Sequence, residues 1–248
     1  MIRALTGTGP VFRRELAAYF ATPVAYVFIV GFLLLAGIFA FYVGGLFERG
    51  QADLKPFFGY HPWLYVVFMP AIAMRLWAEE WRSGTAELLL TLPVGVGGVV
   101  LGKFLAAWAF TAVALALTFP VWITVNVLGD PDNGVVLAGY LGSLIMAGGY
   151  LSICACLSAA TRNQVVAFVL GVVVCLLFTV AGSPVVLDAV AGWAPRVLTE
   201  AVAGFSFLAR FSAIMGGVID LRDVIYFASL IALWLFANAV VVDRRKAG

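Results

Sequence analysis

The sequence predicts an all-α integral membrane protein with six transmembrane helices, and three observations carry that expectation. Hydrophobic residues make up 64% of the chain and its mean hydropathy is +1.07, where a water-soluble globule uses roughly half apolar residues. Apolar runs recur at about the 20-residue length needed to cross a ~30 Å hydrocarbon core as a helix. Lys and Arg collect between those runs and do so unevenly, as loops on two sides of a membrane do.

Taken in order, the elements begin with a leader over about 9–20. In Val11-Phe-Arg-Arg-Glu-Leu-Ala-Ala-Tyr-Phe20, helical spacing puts Phe12, Leu16 and Tyr19 on one face with the charges opposite, a pattern that lies in the headgroup plane. The apolar run after Arg13-Arg14-Glu15 is too long for a signal-peptide core and no small-residue cleavage site closes it, so no cleavable signal is expected. The spans read as 23–45, 62–77, 99–128, 135–160, 165–181 and 224–242, the first opening on Thr22-Pro23 because proline suits a first helical turn. The fifth is short. The segment 182–223 mixes apolar turns with Pro184, Pro195, Glu200 and Arg210, which favours short or re-entrant helices at the outer leaflet over a further span. The whole of 1–248 reads as one transmembrane domain.

Orientation follows from the basic residues. Arg3, Arg13, Arg14, Arg75, Arg82, Lys103, Arg162, Arg244, Arg245 and Lys246 fall on one side, against Arg49, Lys55, Arg196, Arg210 and Arg222 on the other. Ten against five is expected to place both termini in the cytoplasm.

Several chemistries are excluded. A net charge of +2 without a basic stripe gives no footing for nucleic acid. Cys154, Cys156 and Cys175 lie in apolar runs. The first two, being two apart, point to different helix faces, so they read as packing residues. Gly97-Gly-Val-Val-Leu-Gly102-Lys103 nearly matches a phosphate-binding loop, but Phe104 stands where the magnesium-binding hydroxyl belongs and no strand precedes it. The expected role there is the start of span three, with Lys103 snorkelling at its foot. His61 is the one histidine, placed at the outer end of span two and expected to be interfacial. Acidic residues at mid-depth, which an ion-coupled carrier would use, are absent from the spans. Small residues at every fourth position of span four (Gly134, Ala138, Gly142) favour close packing within the subunit.

One polar island interrupts this chain: Trp77-Ala-Glu-Glu-Trp-Arg-Ser-Gly-Thr-Ala-Glu87, followed by Leu-Leu-Leu-Thr-Leu-Pro93. Its pattern predicts a first helix carrying Glu79, Glu80 and Arg82, a break at Gly84-Thr85, and a second helix with Thr85 as cap, Leu88 among its apolar residues and Pro93 as terminator. Glu79/Glu80, Gly84-Thr85, Glu87-Leu88-Leu89 and Pro93, with Lys103 ten residues on, resemble the signature of ABC-2 type exporter permeases. Leu76-Trp-Ala-Glu-Glu-Trp-Arg-Ser-Gly-Thr85, Asn163-Gln164 and Gly217-Val-Ile-Asp-Leu-Arg-Asp223 are most similar to the gliding-motility-associated branch.

The resemblance implies the rest. Arg13, Arg14 and Glu15 would belong to an interfacial elbow helix. The segment 85–92 would be a cytoplasmic coupling helix seated in an ATPase subunit, with Glu79, Glu80, Arg82 and Glu87 making polar contacts. Lys103 and Arg162 would be secondary cytoplasmic contacts. The chain would be a non-catalytic permease that binds no cofactor itself, ATP and magnesium residing in the partner ATPase. A second permease subunit, identical or related, would complete the unit. An alternative is a membrane scaffold that turns ATPase motion into mechanical work or signalling on a periplasmic partner at 182–223.

Overall fold

Proline and glycine set the helix boundaries in the computed structural model of this chain, which describes residues 7–91, 94–192, 195–196, 199 and 203–246. Helix α1 (Thr8–Phe20) turns at Thr22 into α2 (Pro23–Gly37), with Pro23 in its first turn. α2 loosens into a π-helical stretch, Ile38–Val43. A short α3 (Lys55–Gly59) leads to α4 (His61–Ala73), and the island forms α5 (Ala78–Ser83) and α6 (Thr85–Thr91). Then come α7 (Val96–Ala116), α8 (Phe119–Leu128), α9 (Asn133–Ala159) and α10 (Gln164–Val180). The remainder of the described chain holds α11 (Pro184–Ala191), α12 (Phe207–Met215) and α13 (Leu221–Lys246). No strand occurs among the described residues.

Four of these helical stretches are long and apolar enough to cross a membrane: Pro23–Val43, Val96–Leu128, Asn133–Ala159 and Leu221–Lys246. The other two expected spans are apolar but shorter, α4 with 13 residues and α10 with 17. At a rise of 1.5 Å per residue these reach only about 20 and 26 Å. The expected single helix over 99–128 starts earlier, at Val96, and breaks at Leu117–Thr118. Pro120 in the first turn of α8 is the reason, since proline cannot continue the α7 hydrogen-bond ladder.

α9 is the hub, touching α4, α7, α10, α12 and α13. Its small residues are consumed inside the chain: a Cβ on Gly139 would meet the Phe58 ring at 2.4 Å, and one on Gly142 would meet Ile214 at 2.4 Å. Ser143 on the same face accounts for His61, which is fully buried rather than interfacial. The His61 Nδ1 lies 2.8 Å from Ser143 Oγ, which is also 2.7 Å from Tyr65 Oη, and the rings of Phe57 and Phe58 pack edge-on to the imidazole. All three cysteines are free and buried, with Cys154 Sγ 3.3 Å from Cys175 Sγ across the α9–α10 contact. Within 182–223, α11 and α12 are short helices, and α12 turns Phe207, Phe211 and Ile214 into the core.

Candidate functional site

The island is built as a hairpin on a fixed base. α4 ends at Ala73, and the corner into α5 is held by Ser158 from the end of α9. Its hydroxyl accepts from the backbone N–H groups of Trp77 and Ala78 (3.2 and 3.1 Å) and donates to the Met74 carbonyl (2.9 Å). α5 stops at Gly84, whose φ of +76° lies in the left-handed region that favours glycine, and the chain reverses into α6. The break expected at Gly84-Thr85 is therefore a glycine turn. Thr85 is the first residue of α6, with its hydroxyl 2.9 Å from that of Ser83. Pro93, expected to end the second helix, lies outside the described residues.

The hairpin divides the predicted site residues into two groups. Arg82, Gly84, Thr85, Glu87 and Leu88 are exposed, and Leu88 keeps 69% of its surface. Ala86, Leu89 and Leu90 on the opposite face of α6 are buried. Glu79 and Glu80 bond instead to the body of the protein, Glu80 with 19% of its side chain exposed and Glu79 with 39%. Glu80 Oε1 accepts from Lys103 Nζ at 2.8 Å and from Arg14 at 3.3 Å. Glu79 Oε2 accepts from Gln164 Nε2 at 2.7 Å and from Arg75 Nε at 3.2 Å.

Lys103 is the centre of this arrangement. Where a snorkelling lysine keeps its ammonium in water, the Lys103 side chain is 1% exposed, clasped between Glu80 and Glu15 Oε1 (3.1 Å) with its ammonium 5.2 Å from the centre of the Trp77 ring. The reason is α1 itself. α1 crosses α7 at Gly102, where a Cβ would meet Thr8 O and Val11 Cβ at 2.9 Å, so the glycine admits a contact close enough to roof over the next residue. That contact also turns α1 from the orientation expected. Val11, Glu15 and Tyr19, at i, i+4 spacing, face the protein, Tyr19 stacking on Phe110 with ring centres 4.9 Å apart, while Arg13 and Arg14 stay exposed. Burial alone would raise the Glu15 carboxyl pKa. The Lys103 charge and the hydrogen bonds from Arg14 and Lys103 outweigh it and hold the group below its ordinary 4.5.

A second clasp closes the other side. Trp77 and Trp81 stack 25° from parallel, and the Arg245 guanidinium from the end of α13 sits 5.6 Å from the Trp81 ring while it donates to the Ala160 carbonyl. Arg162, exposed in the α9–α10 turn, stands near Arg245. Ser158 and Arg245 carry no motif that marks them, and Gln164 is marked only within the Asn163-Gln164 resemblance, with no role attached. Lys103 did carry a signal, as a lone charge within a long apolar run.

No group of His, Cys, Asp and Glu able to hold a metal is present among the described residues. What the arrangement can do is mechanical. An exposed hairpin is tied at its base to α1, α7, α9, α10 and α13, so a force on α6 reaches each of them through a named contact.

No curated protein matches this sequence at significant similarity. The sequence model of the family described as "ABC-2 family transporter protein" matches residues 62–241, well over half of the chain and inclusive of the hairpin, Lys103, Ser158 and Gln164, while Arg14, Glu15 and Arg245 lie outside the match. Apolar helices of spanning length, no strand among the described residues and this match converge: the chain belongs to the ABC-2 family of transporter membrane proteins.

Proposed function

We propose that this chain is the transmembrane permease subunit of an ATP-driven ABC exporter, crossing a bacterial inner membrane six times with both termini in the cytoplasm. It is non-catalytic and binds no cofactor; ATP and magnesium act in a separate ATPase subunit. The observation that carries the reading is the α5–α6 hairpin, which presents Arg82, Thr85, Glu87 and Leu88 outward while its inner face is bonded to five other helices. α6 is then the coupling helix and α1 the elbow. Contact with the ATPase belongs to the outward group, and Glu79 and Glu80 transmit the load. Arg162 flanks the docking surface, and Lys103 serves it from inside by fixing the base. The partner shifts the permease only as far as its contacts differ between two states.

The open apolar faces of α2 and α10, with Val27 at 71% and Val165 at 68% exposure, are available to lipid and to a second permease subunit. Within the family, the motifs around Leu76–Thr85 and Gly217–Asp223 favour the gliding-motility-associated branch. The test is coupled turnover with the cognate ATPase. Reversing Arg82 and Glu87 together (Arg82→Glu, Glu87→Arg) is expected to lower stimulated ATP hydrolysis at least about tenfold with the permease still folded. Unchanged turnover and co-purification would remove the docking role. Reversal of Glu79 and Glu80 is the less clean probe, since it also opens the internal clasp.

A further inference from the structure

Beside the Lys103 clasp lies a cavity of about 380 Å³ that the coupling reading leaves unused. It is lined by Arg14, Arg75 and Glu79, by Ala18, Tyr19 and Leu76, and by the clasp itself, whose Glu15 and Glu80 carboxylates are paired with the Lys103 ammonium. It sits where α1 turns at Thr22 into the first long apolar helix and where α4 has just ended, which is the level at which a membrane-spanning chain meets the headgroups.

Outside the clasp, the charges of the lining are only partly committed. Arg75 gives its Nε to Glu79 Oε2, and its two terminal nitrogens have no partner among the described residues. Glu79 takes both of its bonds, from Arg75 and Gln164, on Oε2, and its Oε1 has none among the described residues. Arg14 binds its two carboxylates through Nη2 alone, and its side chain is 52% exposed. Two guanidinium groups with unused N–H donors, beside one unused carboxylate oxygen, suit a phosphodiester that carries its own N–H donor. Thr22, at the turn into α2, also lines the cavity, and Val24 and Val27 in the α2 helix that follows are exposed, an apolar track of the kind an acyl chain covers.

The geometry points to a phospholipid site at the elbow: the headgroup phosphate between Arg14 and Arg75, a primary ammonium on Glu79 Oε1, and an acyl chain along Ala18, Tyr19 and α2. The occupant is an ethanolamine phospholipid, because a choline headgroup has no N–H to give Glu79. The inference rests on the membrane placement of the chain and not on the ATPase partner, so the two fail separately.

The test is native mass spectrometry of the full chain released from detergent micelles with defined lipid added. Phosphatidylethanolamine is expected to be retained about tenfold better than phosphatidylcholine of the same chains. Arg75→Gln should cut that retention about tenfold, as loss of a charge-assisted contact does, and Glu79→Gln should erase the preference between the two lipids. Arg82→Gln, outside the cavity, should change neither. Glycerophosphoethanolamine, the headgroup without chains, should compete only at about a hundredfold higher concentration. Equal retention of the two lipids, or retention indifferent to Arg75→Gln, overturns the site. Competition by the free headgroup at equal concentration overturns its assignment to a lipid. Each variant's folding is checked by its melting temperature, and if Arg75→Gln unfolds the chain, Arg14→Gln carries the same expectation and the same contrary result.

Discussion

Lys103 is a charge taken almost wholly out of water, so its worth depends on its partners. Removing one member of a buried ion pair leaves the other uncompensated, at about 3–5 kcal/mol. Here Glu15 and Glu80 retain 14% and 19% exposure, which lowers the expected cost of Lys103→Met to about 2–3 kcal/mol. Denaturation of the chain in detergent measures it. Glu80→Gln in the Lys103→Met background should recover part of the loss, and strict additivity of the two changes would contradict direct coupling. Glu15 adds a pH dependence. Its folded pKa is depressed below 4.5, so it contributes stability that is fully present above that value and is lost as pH falls through the lower, folded one. Amide exchange along α1 should stay slow from neutral pH down to about 4.5 and quicken below it relative to Glu15→Gln, whose α1 lacks that step.

Two glycines set the geometry of the elements around the hairpin. Gly102→Val places a side chain into Thr8 and Val11, and overpacking of this kind costs about 1–3 kcal/mol. The expected result is faster amide exchange in α1 with α9 unaffected. Gly84 has open space where a Cβ would go, so only its φ of +76° resists substitution. Gly84→Asn should therefore bind the ATPase nearly as well as the parent while Gly84→Val does not, because asparagine tolerates that backbone and a β-branched residue does not.

At this scale the sequence was informative about punctuation and weak about orientation. Pro23 and Gly84 marked real boundaries because their backbone restrictions act locally. The rotation of α1 was not legible: its charges suggested that they all face water, whereas Glu15 faces Lys103, a partner 88 positions away that only the Gly102 crossing brings near. His61 was misread for the same reason, since Ser143, 82 positions on, supplies the bond that lets it be buried. Ser158 and Arg245 act through tertiary contacts with no local pattern to announce them.

For the whole molecule, composition and hydropathy fixed the class, and the family match from residue 62 to 241 placed the chain among ABC-2 transporter proteins. The proposed topology makes a prediction of its own. A cysteine at Arg82 should react with a membrane-impermeant maleimide only after the inner membrane is opened, and one at Asp130, exposed between α8 and α9, should react in intact spheroplasts. The central claim is that the α5–α6 hairpin is the surface an ATPase subunit grips, and site-specific photocrosslinking in cells tests it most directly. With a benzophenone side chain at Leu88, the account predicts a covalent adduct to an ABC ATPase subunit, identified by mass spectrometry, and none from the same probe at Asp130. An ATPase that co-purifies with the chain yet is never captured from Leu88, while lipid is, would contradict it.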